Sequence, residues 1–370
     1  MIDAKDTQFR LSEDGVVSFQ ALESNPLAGD VIARLTKGAH VLQPGFEITD
    51  AKGADEAALV ARLEAWFEAH KRSVMEPLAR MFEPIEEPVG EAKEGEEQET
   101  TSREIEGVVK DIAQAVYDAM GILPREGLEA LIAQLDAETR KDLRKKRIRL
   151  GPILVFIPAL NKPAAVRLRA LLWSLYHGKA LPAVGIPNDG LVSCKVDEAL
   201  IDKDFYQSIG YPVYGGRAIR IDMLDRVICA VYDGADKGKF QAQHQMAEWL
   251  GCPIEELYAI LGAMGHVRIL EDGNVGVLEG GEVENPAEGE AKPQEKQALD
   301  WFRLKRGKAF EKTGAGKKPD FKKKPKPQEF KGKPKGKRNK NESRAPKVMS
   351  AKAKVNPDDN PFAILGQLKE

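Results

Sequence analysis

The feature that most constrains this chain is the separation of its charge along the sequence. Residues 301–350 hold 19 Lys and Arg against 4 Asp and Glu, whereas the whole 370-residue chain has a formal net charge of −2. The last 20 residues are balanced, so residues 1–300 carry a net charge of −17. A segment of Lys, Pro and Gly cannot bury enough apolar surface to offset the conformational entropy lost on folding. We therefore expect an acidic folded body followed by a basic, disordered arm.

Composition and cysteine spacing narrow the class of protein. No apolar run approaches the ~20 residues that a membrane helix needs, and the N-terminus lacks the basic and apolar segments of a signal peptide. Cys194, Cys229 and Cys252 form no C-x-x-C pair, so neither a zinc site nor a disulfide framework is expected. We expect a cytoplasmic protein with reduced thiols and no membrane contact.

Apolar periodicity in the first half of the chain predicts two folded segments separated by a linker. Residues 1–85 combine short strands with a helix that begins at Asp55. Ten Glu between residues 83 and 106, with no apolar periodicity, predict a disordered acidic linker over 86–102. Residues 103–216 predict a helical domain with a buried strand and a basic surface.

The second half predicts a small domain and a long polar segment. Residues 217–282 show three helical repeats and a hairpin turning at 272–274, a winged-helix-like pattern. Residues 283–356 are predicted to form the disordered Lys/Pro/Gly-rich arm, and 357–370 a short terminal helix. The predicted fold class is mainly α with small β elements (α+β).

Motifs for nucleotide chemistry and metal binding are missing from the sequence. The string EKTGAGKK (311–318) comes nearest to a phosphate-binding loop, but Glu311 replaces its first Gly and Lys318 replaces its Ser or Thr. The five histidines lack the Glu-x-x-His or His-x-x-x-His spacing of metal sites. We predict no catalytic residue, no metal site and no cofactor in this chain.

Positive charge in the body is concentrated over residues 140–169. Lys and Arg that are not accompanied by acidic residues can bind a phosphate backbone. The alternative interpretation is a solvated helix face whose charge balances the acidic body. The predicted nucleic-acid-binding residues of the body are Arg144, Lys145, Lys146, Arg147, Arg149, Lys162, Arg167 and Arg169.

The arm adds a second predicted binding segment. It contains Lys322, Lys323 and Lys324, and Phe302, Phe310, Phe321 and Phe330 recur among its cations. Cations with sparse aromatics suit single strands, whose phosphates pair and whose bases stack. A solubilising tail is the alternative.

Two further segments predict protein contacts. The 243–261 region has the spacing of a helix-turn-helix, but Glu255 and Glu256 on the outer face of its second helix would repel DNA, which favours packing or docking over sequence reading. Beyond the arm, Phe362, Leu365 and Leu368 form one apolar stripe, which predicts a partner-docking peptide or a frayed end.

Three strings resemble one known family. RLGPILVFIPALNKPAAVRLRALLWSLYHG (149–178), FYQSIGYPVYGGRAIRIDMLDRV (205–227) and MAEWLGCPIEELYAILGAMGH (246–266) are similar to the C-terminal region of alphaproteobacterial helicases. Those helicases are related to the mitochondrial RNA-degradosome helicase, a superfamily-two DExH motor. The resemblance runs from about residue 10 to 280.

The resemblance implies an accessory region without its motor. The family places two motor lobes before this region, and their nucleotide-binding and Asp-Glu box motifs are absent here. ATP and Mg²⁺ are therefore implied only for a motor outside this chain. The chain itself is expected to be a truncated or split helicase, or to act with a separate motor.

Three hypotheses follow for the function. The first is a module that guides single-stranded RNA or DNA for a helicase motor. The second is a non-enzymatic adaptor that docks proteins, such as a helicase motor or proteins of RNA degradation, through the winged helix and the C-terminal peptide and tethers RNA by its basic arm. The third, a residual enzyme, would require ATP turnover by the chain alone.

Overall fold

The computed structural model describes residues 1–305, except 24, 26, 28, 89–99 and 270–297. The described residues are a mixture of helix and sheet, with 42% of them helical and 21% in strands. The predicted α+β class is confirmed at this level. The arm beyond residue 305 and the predicted terminal helix at 357–370 lie outside the described residues.

The chain begins with an antiparallel sheet in sequence order. Its strands are β1 (Phe9–Leu11), β2 (Val16–Phe19), β3 (Asp30–His40) and β4 (Gln43–Ile48). A long helix, α1 (Glu56–Val74), follows and is capped by Asp55, whose carboxylate accepts from the Ala58 N–H at 2.9 Å. The short α2 (Glu76–Ala79) comes directly after it.

Part of the predicted acidic linker is strand. β5 (Ile85–Pro88) pairs antiparallel with β6 (Thr100–Arg103), so both ends of the 86–102 segment are ordered. The prediction of disorder was wrong at these ends because backbone pairing and the buried Ile85 hold them against the body. Residues 89–99 lie outside the described part of the chain.

The middle of the chain is mostly helical around a small sheet of order β7-β9-β8. Pro124 ends a strand of this sheet, and the next α-helix begins at Glu129. The elements are α3 (Gly107–Asp118), β7 (Ile122–Pro124), α4 (Glu129–Ile132), α5 (Ala137–Lys145), β8 (Arg149–Leu150), β9 (Leu154–Phe156) and α6 (Pro163–Tyr176).

A fourth sheet, of order β10-β12-β11, leads into the C-terminal subdomain, by which we mean residues 220–305. The elements before it are β10 (Ser193–Lys195), α7 (Lys203–Ser208), β11 (Val213–Tyr214) and β12 (Arg217–Ile219). The subdomain itself contains α8 (Ile221–Asp233), β13 (Lys239–Gln241), α9 (His244–Leu250), α10 (Ile254–Ala263), β14 (Val267–Ile269) and β15 (Trp301–Arg303).

Buried side chains form two apolar cores. The first joins the predicted 1–85 and 103–216 domains, since α1, α3 and α6 contribute to it together. The second lies within the C-terminal subdomain. Strand β9 separates them because successive side chains point to opposite faces: Val155 enters the first core, and Leu154 and Phe156 enter the second.

The predicted hairpin turn at 272–274 and the strand expected after it lie outside the described residues. Among the described residues, β14 pairs with β15, which also pairs with β13. The predicted arm therefore begins too early, at 283. Phe302 was assigned to base stacking, but it is fully buried and stacks on Phe240, with ring centroids 5.6 Å apart.

Each helix in the described part of the chain is too short or too polar to cross a bilayer.

Candidate nucleic-acid interface

The predicted basic surface begins on α5 and continues through the bend that follows it. Asp136 caps α5 by accepting from the Thr139 N–H at 2.8 Å. At the other end, Arg147 adopts a left-handed φ of +59°, which lets the Ile148 N–H donate to the Leu143 carbonyl at 2.9 Å. Leu143 and Ile148 are buried, so the intervening cations lie outside the core.

Three consecutive cations of this bend contact the segment that joins α1 to β5. Lys145 pairs with Glu87, and Arg147 Nη1 lies 3.2 Å from Glu76 Oε2. Lys146 Nζ donates to the carbonyls of Arg80 and Glu83. Burial of this ammonium group lowers the pKa of Lys146.

These residues line a cleft of about 280 Å³ in which acids and bases alternate. The carboxylates of Glu76 and Glu83 stand in the same cleft as the cations. Because the acids are interspersed, the cleft is an ion-paired contact between chain segments and not an open phosphate site.

Arg149 connects the basic surface to the C-terminal subdomain. Its Nη2 lies 2.6 Å from Asp225 Oδ2 on α8 and 3.5 Å from Cys229 Sγ. Burial raises the pKa of the Asp225 carboxyl, and the guanidinium of Arg149 acts against that rise. Half of the Arg149 side chain remains exposed, so one face of this pair is open to solvent.

The remaining predicted cations of the body lie at the start of α6, and they differ in exposure and in binding partners. Lys162 is exposed at the N-cap. Arg167 is also exposed and pairs with Asp189 at 2.6 Å and with Glu13 at 3.6 Å.

Arg169 was wrongly predicted to bind nucleic acid. It is 1% exposed, and its guanidinium donates to five backbone carbonyls, those of Ala165, Met120, Ser208, Leu160 and Ile209. Burial lowers its pKa to about 9. The residue joins α6, α7 and the end of α3 inside the first core and cannot reach a ligand at the surface.

Exposed cations without a carboxylate partner remain on α5 and at the start of α6. Within the described residues, Lys141, Arg144 and Lys162 have no carboxylate within 4 Å. Arg144 Nε donates only to the Arg140 carbonyl, at 3.1 Å. Lys141 was not among the predicted residues, although it lies in the same run of charge.

The second helix of the predicted helix-turn-helix, α10, packs on the turn between β11 and β12. A Cβ built on Gly215 would lie 2.6 Å from the carbonyl carbon of Ala259. Beside this contact, Glu256 binds Lys195 and the buried Arg217. The face that would enter a DNA groove is therefore occupied by the chain itself.

The acidic partners of the basic surface were missed by sequence reasoning. They include Glu76 and Glu87, which lie in the neighbouring α2 and β5, and Asp189 and Asp225, which come from two later segments. The net charge of −17 over residues 1–300 indicates that acids are plentiful but not which of them pair. Lys322, Lys323, Lys324, Phe362, Leu365 and Leu368 lie outside the described residues.

The described part of the chain has no group of three or more His, Cys, Asp or Glu arranged to hold a metal ion. Comparison of the chain with protein-family models, with curated proteins and with solved structures found no match.

Proposed function

We propose that this chain is a nucleic-acid-binding accessory region of a superfamily-two DExH helicase and that it guides single strands without reading their sequence. The observation that carries the proposal is the attachment of the basic arm to the folded body. β15 belongs to the sheet of the C-terminal subdomain, and the segment that follows it, 306–350, has 17 Lys and Arg against 4 acids. A strand held by this arm stays within reach of the body.

The exposed cations of α5 and α6 supply the proposed path on the body. Lys141, Arg144 and Lys162 are available directly. Arg147 and Arg167 are in ion pairs whose two side chains are both partly exposed, and such pairs contribute only ~0–1 kcal/mol to stability. A phosphate can therefore replace the carboxylate of either pair at little cost. Arg149, whose partner Asp225 is buried, and Lys146, with its carbonyl partners, remain structural.

We further propose that the C-terminal subdomain is a winged helix that serves as a scaffold. Its order α8-β13-α9-α10-β14-β15 and its sheet order β13-β15-β14 fit that fold, with the connection from 270 to 300 in the sequence position of the wing. Because α10 is covered by the Gly215 turn, the subdomain supports a strand path and does not read base pairs.

Fluorescence anisotropy of a labelled 20-mer, as RNA and as DNA, tests the proposal. One full-length variant replaces Lys141, Arg144 and Lys162 by Gln, and a second replaces Lys322, Lys323 and Lys324. A charge-matched control replaces the exposed Lys110, Lys237 and Lys239, which lie elsewhere. Each phosphate contact that is lost lowers the salt slope by about 0.7 for a single strand, so both test variants are expected to lose about 2 and the control none.

The possible results separate the hypotheses. An unchanged slope in the α5/α6 variant would remove the body from the strand path and leave binding to the arm. Absence of binding to either 20-mer at 50 mM salt would refute the proposed function. Equal slopes for RNA and DNA are expected because phosphates carry the contact.

The ion pairing of the basic surface favours one second candidate. If the pairs of Arg147, Arg149 and Arg167 persist in solution, the body presents few free cations and acts as a non-enzymatic adaptor, with RNA tethered by the arm alone. Partners would be a helicase motor or proteins of RNA degradation. Deleting residues 357–370, which contain Phe362, Leu365 and Leu368, would then abolish co-purification with the partner and leave RNA binding intact.

A further inference from the structure

A cavity in the described part of the chain lies away from the basic surface, at the opposite end of α6. Its volume is about 520 Å³, within the ~300–1,000 Å³ of small-molecule sites. It is bounded by the β3–β4 turn, the end of α3, the end of α6 and α7. Because α6 has 14 residues, the cavity lies ~20 Å along the helix axis from Lys162.

Aromatic rings form one side of this cavity. The imidazole of His177 lies over the indole of the buried Trp173, with centroids 4.1 Å apart and planes at 27°. His177 is an exposed residue, and its Nδ1 is 2.9 Å from the Trp173 carbonyl, which fixes the orientation of the ring. Tyr176 stands edge-on to it at 5.4 Å. A planar ligand would find a stacking surface here.

Hydrogen-bond acceptors form the other side. His40 Nε2 and Gln114 Nε2 both contact Asp118 Oδ1, at 3.2 and 2.7 Å, so Oδ2 retains its capacity to accept. The Leu42 N–H donates to His40 Nδ1 at 3.1 Å, which makes Nε2 the donor to Asp118. The exposed carboxylate of Asp204 and the amide of Gln207 add further acceptors.

Cations are found at the rim of the cavity and not among its lining residues. Lys37 Nζ lies 4.5 Å from the centroid of Tyr176, and Lys179 Nζ lies 5.9 Å from that of Trp173. The interior thus offers carboxylates and rings, and the rim offers positive charge. A phosphate is disfavoured inside and favoured at the edge.

We propose that this cavity binds one nucleobase of a bound strand, and that it selects bases with an exocyclic amino group. Adenine, cytosine and guanine can donate that amino group to the carboxylate of Asp204, whereas uracil and thymine offer a carbonyl at the corresponding position. The base stacks on His177, and the neighbouring phosphates contact Lys37 and Lys179. The inference rests on the proposed function, because the strand must first be bound, but it concerns a separate site.

The test compares labelled C12 and U12 RNA on the full-length chain by anisotropy. The two oligomers differ at each base only in N3 and in the group on C4, which is an amino group in cytosine and a carbonyl in uracil, so their affinity ratio reports selection at this edge of the base. We expect C12 to bind about tenfold more tightly, a preference worth about one charge-assisted hydrogen bond. Asp204→Ala is expected to bring the ratio close to one, and Asp111→Ala, which removes an equally exposed carboxylate from α3, is expected to leave it unchanged.

The ratio of the affinities for C12 and U12 distinguishes base selection from a general electrostatic effect. Loss of a carboxylate that acts only through its charge raises the affinity for C12 and U12 by the same factor. His177→Ala, which removes the stacking surface, is expected to weaken both oligomers about tenfold. Thermal unfolding of each variant establishes that it is folded.

Several results would overturn the inference. Equal binding of C12 and U12 with a normal salt slope would refute base selection and leave the proposed function standing, whereas absence of binding to both would refute the two together. A cytosine preference that persists in Asp204→Ala would place the selection elsewhere. Binding of a labelled arginine peptide that is lost in Asp204→Ala, without any base preference, would assign the cavity to a cationic side chain.

Discussion

The backbone of Ala259 approaches Gly215 so closely that no side chain fits between them. Gly215 has a φ of +57°, and a Cβ there would lie 2.6 Å from the Ala259 carbonyl carbon and from the Ile260 nitrogen. The contact joins the turn between β11 and β12 to α10. It therefore holds the C-terminal subdomain in place and covers the helix that a groove-binding protein would expose.

Gly215→Ala is expected to lower the free energy of unfolding by about 2–4 kcal/mol. Overpacking contributes ~1–3 kcal/mol and the left-handed backbone ~1–2 kcal/mol. Gly216→Ala is the matched control, because Gly216 also has a positive φ, +74°, but its nearest neighbour would be 4.0 Å from the new Cβ. Urea denaturation of the two variants measures the difference. Equal midpoints would show that the Gly215 contact relaxes easily.

Phe302→Ala is expected to cost about 3–5 kcal/mol, since the ring is fully buried against Phe240. Trp301→Ala, in the same strand but 49% exposed, is expected to change stability by less than about 1 kcal/mol. Thermal unfolding provides the comparison. If Phe302→Ala weakened RNA binding without changing stability, the ring would be a stacking residue and not part of the core.

Arg169→Met is expected to destabilise the protein by about 3–5 kcal/mol, because it leaves buried carbonyls such as those of Leu160 and Ile209 without a donor. Arg167→Met is the control two positions away. Its exposed pair with Asp189 contributes no more than ~1 kcal/mol. A folded Arg169→Met variant with weakened RNA binding would contradict the burial of this guanidinium.

Stability should fall as the pH drops below 6.5, and His266 should account for part of the fall. Burial, aided by nearby Lys305, lowers the pKa of His266 to about 4, and its Nε2 has no partner among the described residues. The unfolded chain therefore binds more protons between pH 4 and 6.5, so unfolding is favoured there. The loss attributable to this group between pH 7 and 5 is about 2 kcal/mol.

His266→Gln isolates that contribution. The amide oxygen of Gln can still accept from the Lys305 N–H, which donates to His266 Nδ1 at 3.1 Å in the native protein. Urea denaturation measures the free energy of unfolding of both proteins at pH 7 and at pH 5. The difference between the two pH values should be about 2 kcal/mol smaller in the variant than in the native chain. A variant with the same pH dependence as the native chain would assign the titration to other groups.

Local patterns in the sequence predicted the helices well. The repeat of apolar residues located α6 and α8, and the capping role of Asp55 was readable from its position before an apolar repeat. These features depend on neighbours within one or two turns, so periodicity and capping chemistry suffice to find them.

Long-range relationships could not be read in the same way. β14 and β15 are separated by 31 residues, and nothing local to either strand identifies its partner. Arg167 and Arg169 look equivalent in a run of charge, yet one is exposed and the other is surrounded by backbone carbonyls. The acids that neutralise Arg147 and Arg149 come from α2 and α8, which meet only through tertiary packing.

The position of β15 has a consequence for the order in which the chain folds. The first sheet has all its strands once residue 48 has been synthesised, and each of its pairings joins neighbours in sequence. Among the described residues, the central strand of the last sheet is also the last to be made, so β13 and β14 lack their pairing with β15 until residue 303 has been synthesised. During that interval Phe240 lacks the ring of Phe302 that stacks on it, so the core of the C-terminal subdomain is completed only at the end of this segment.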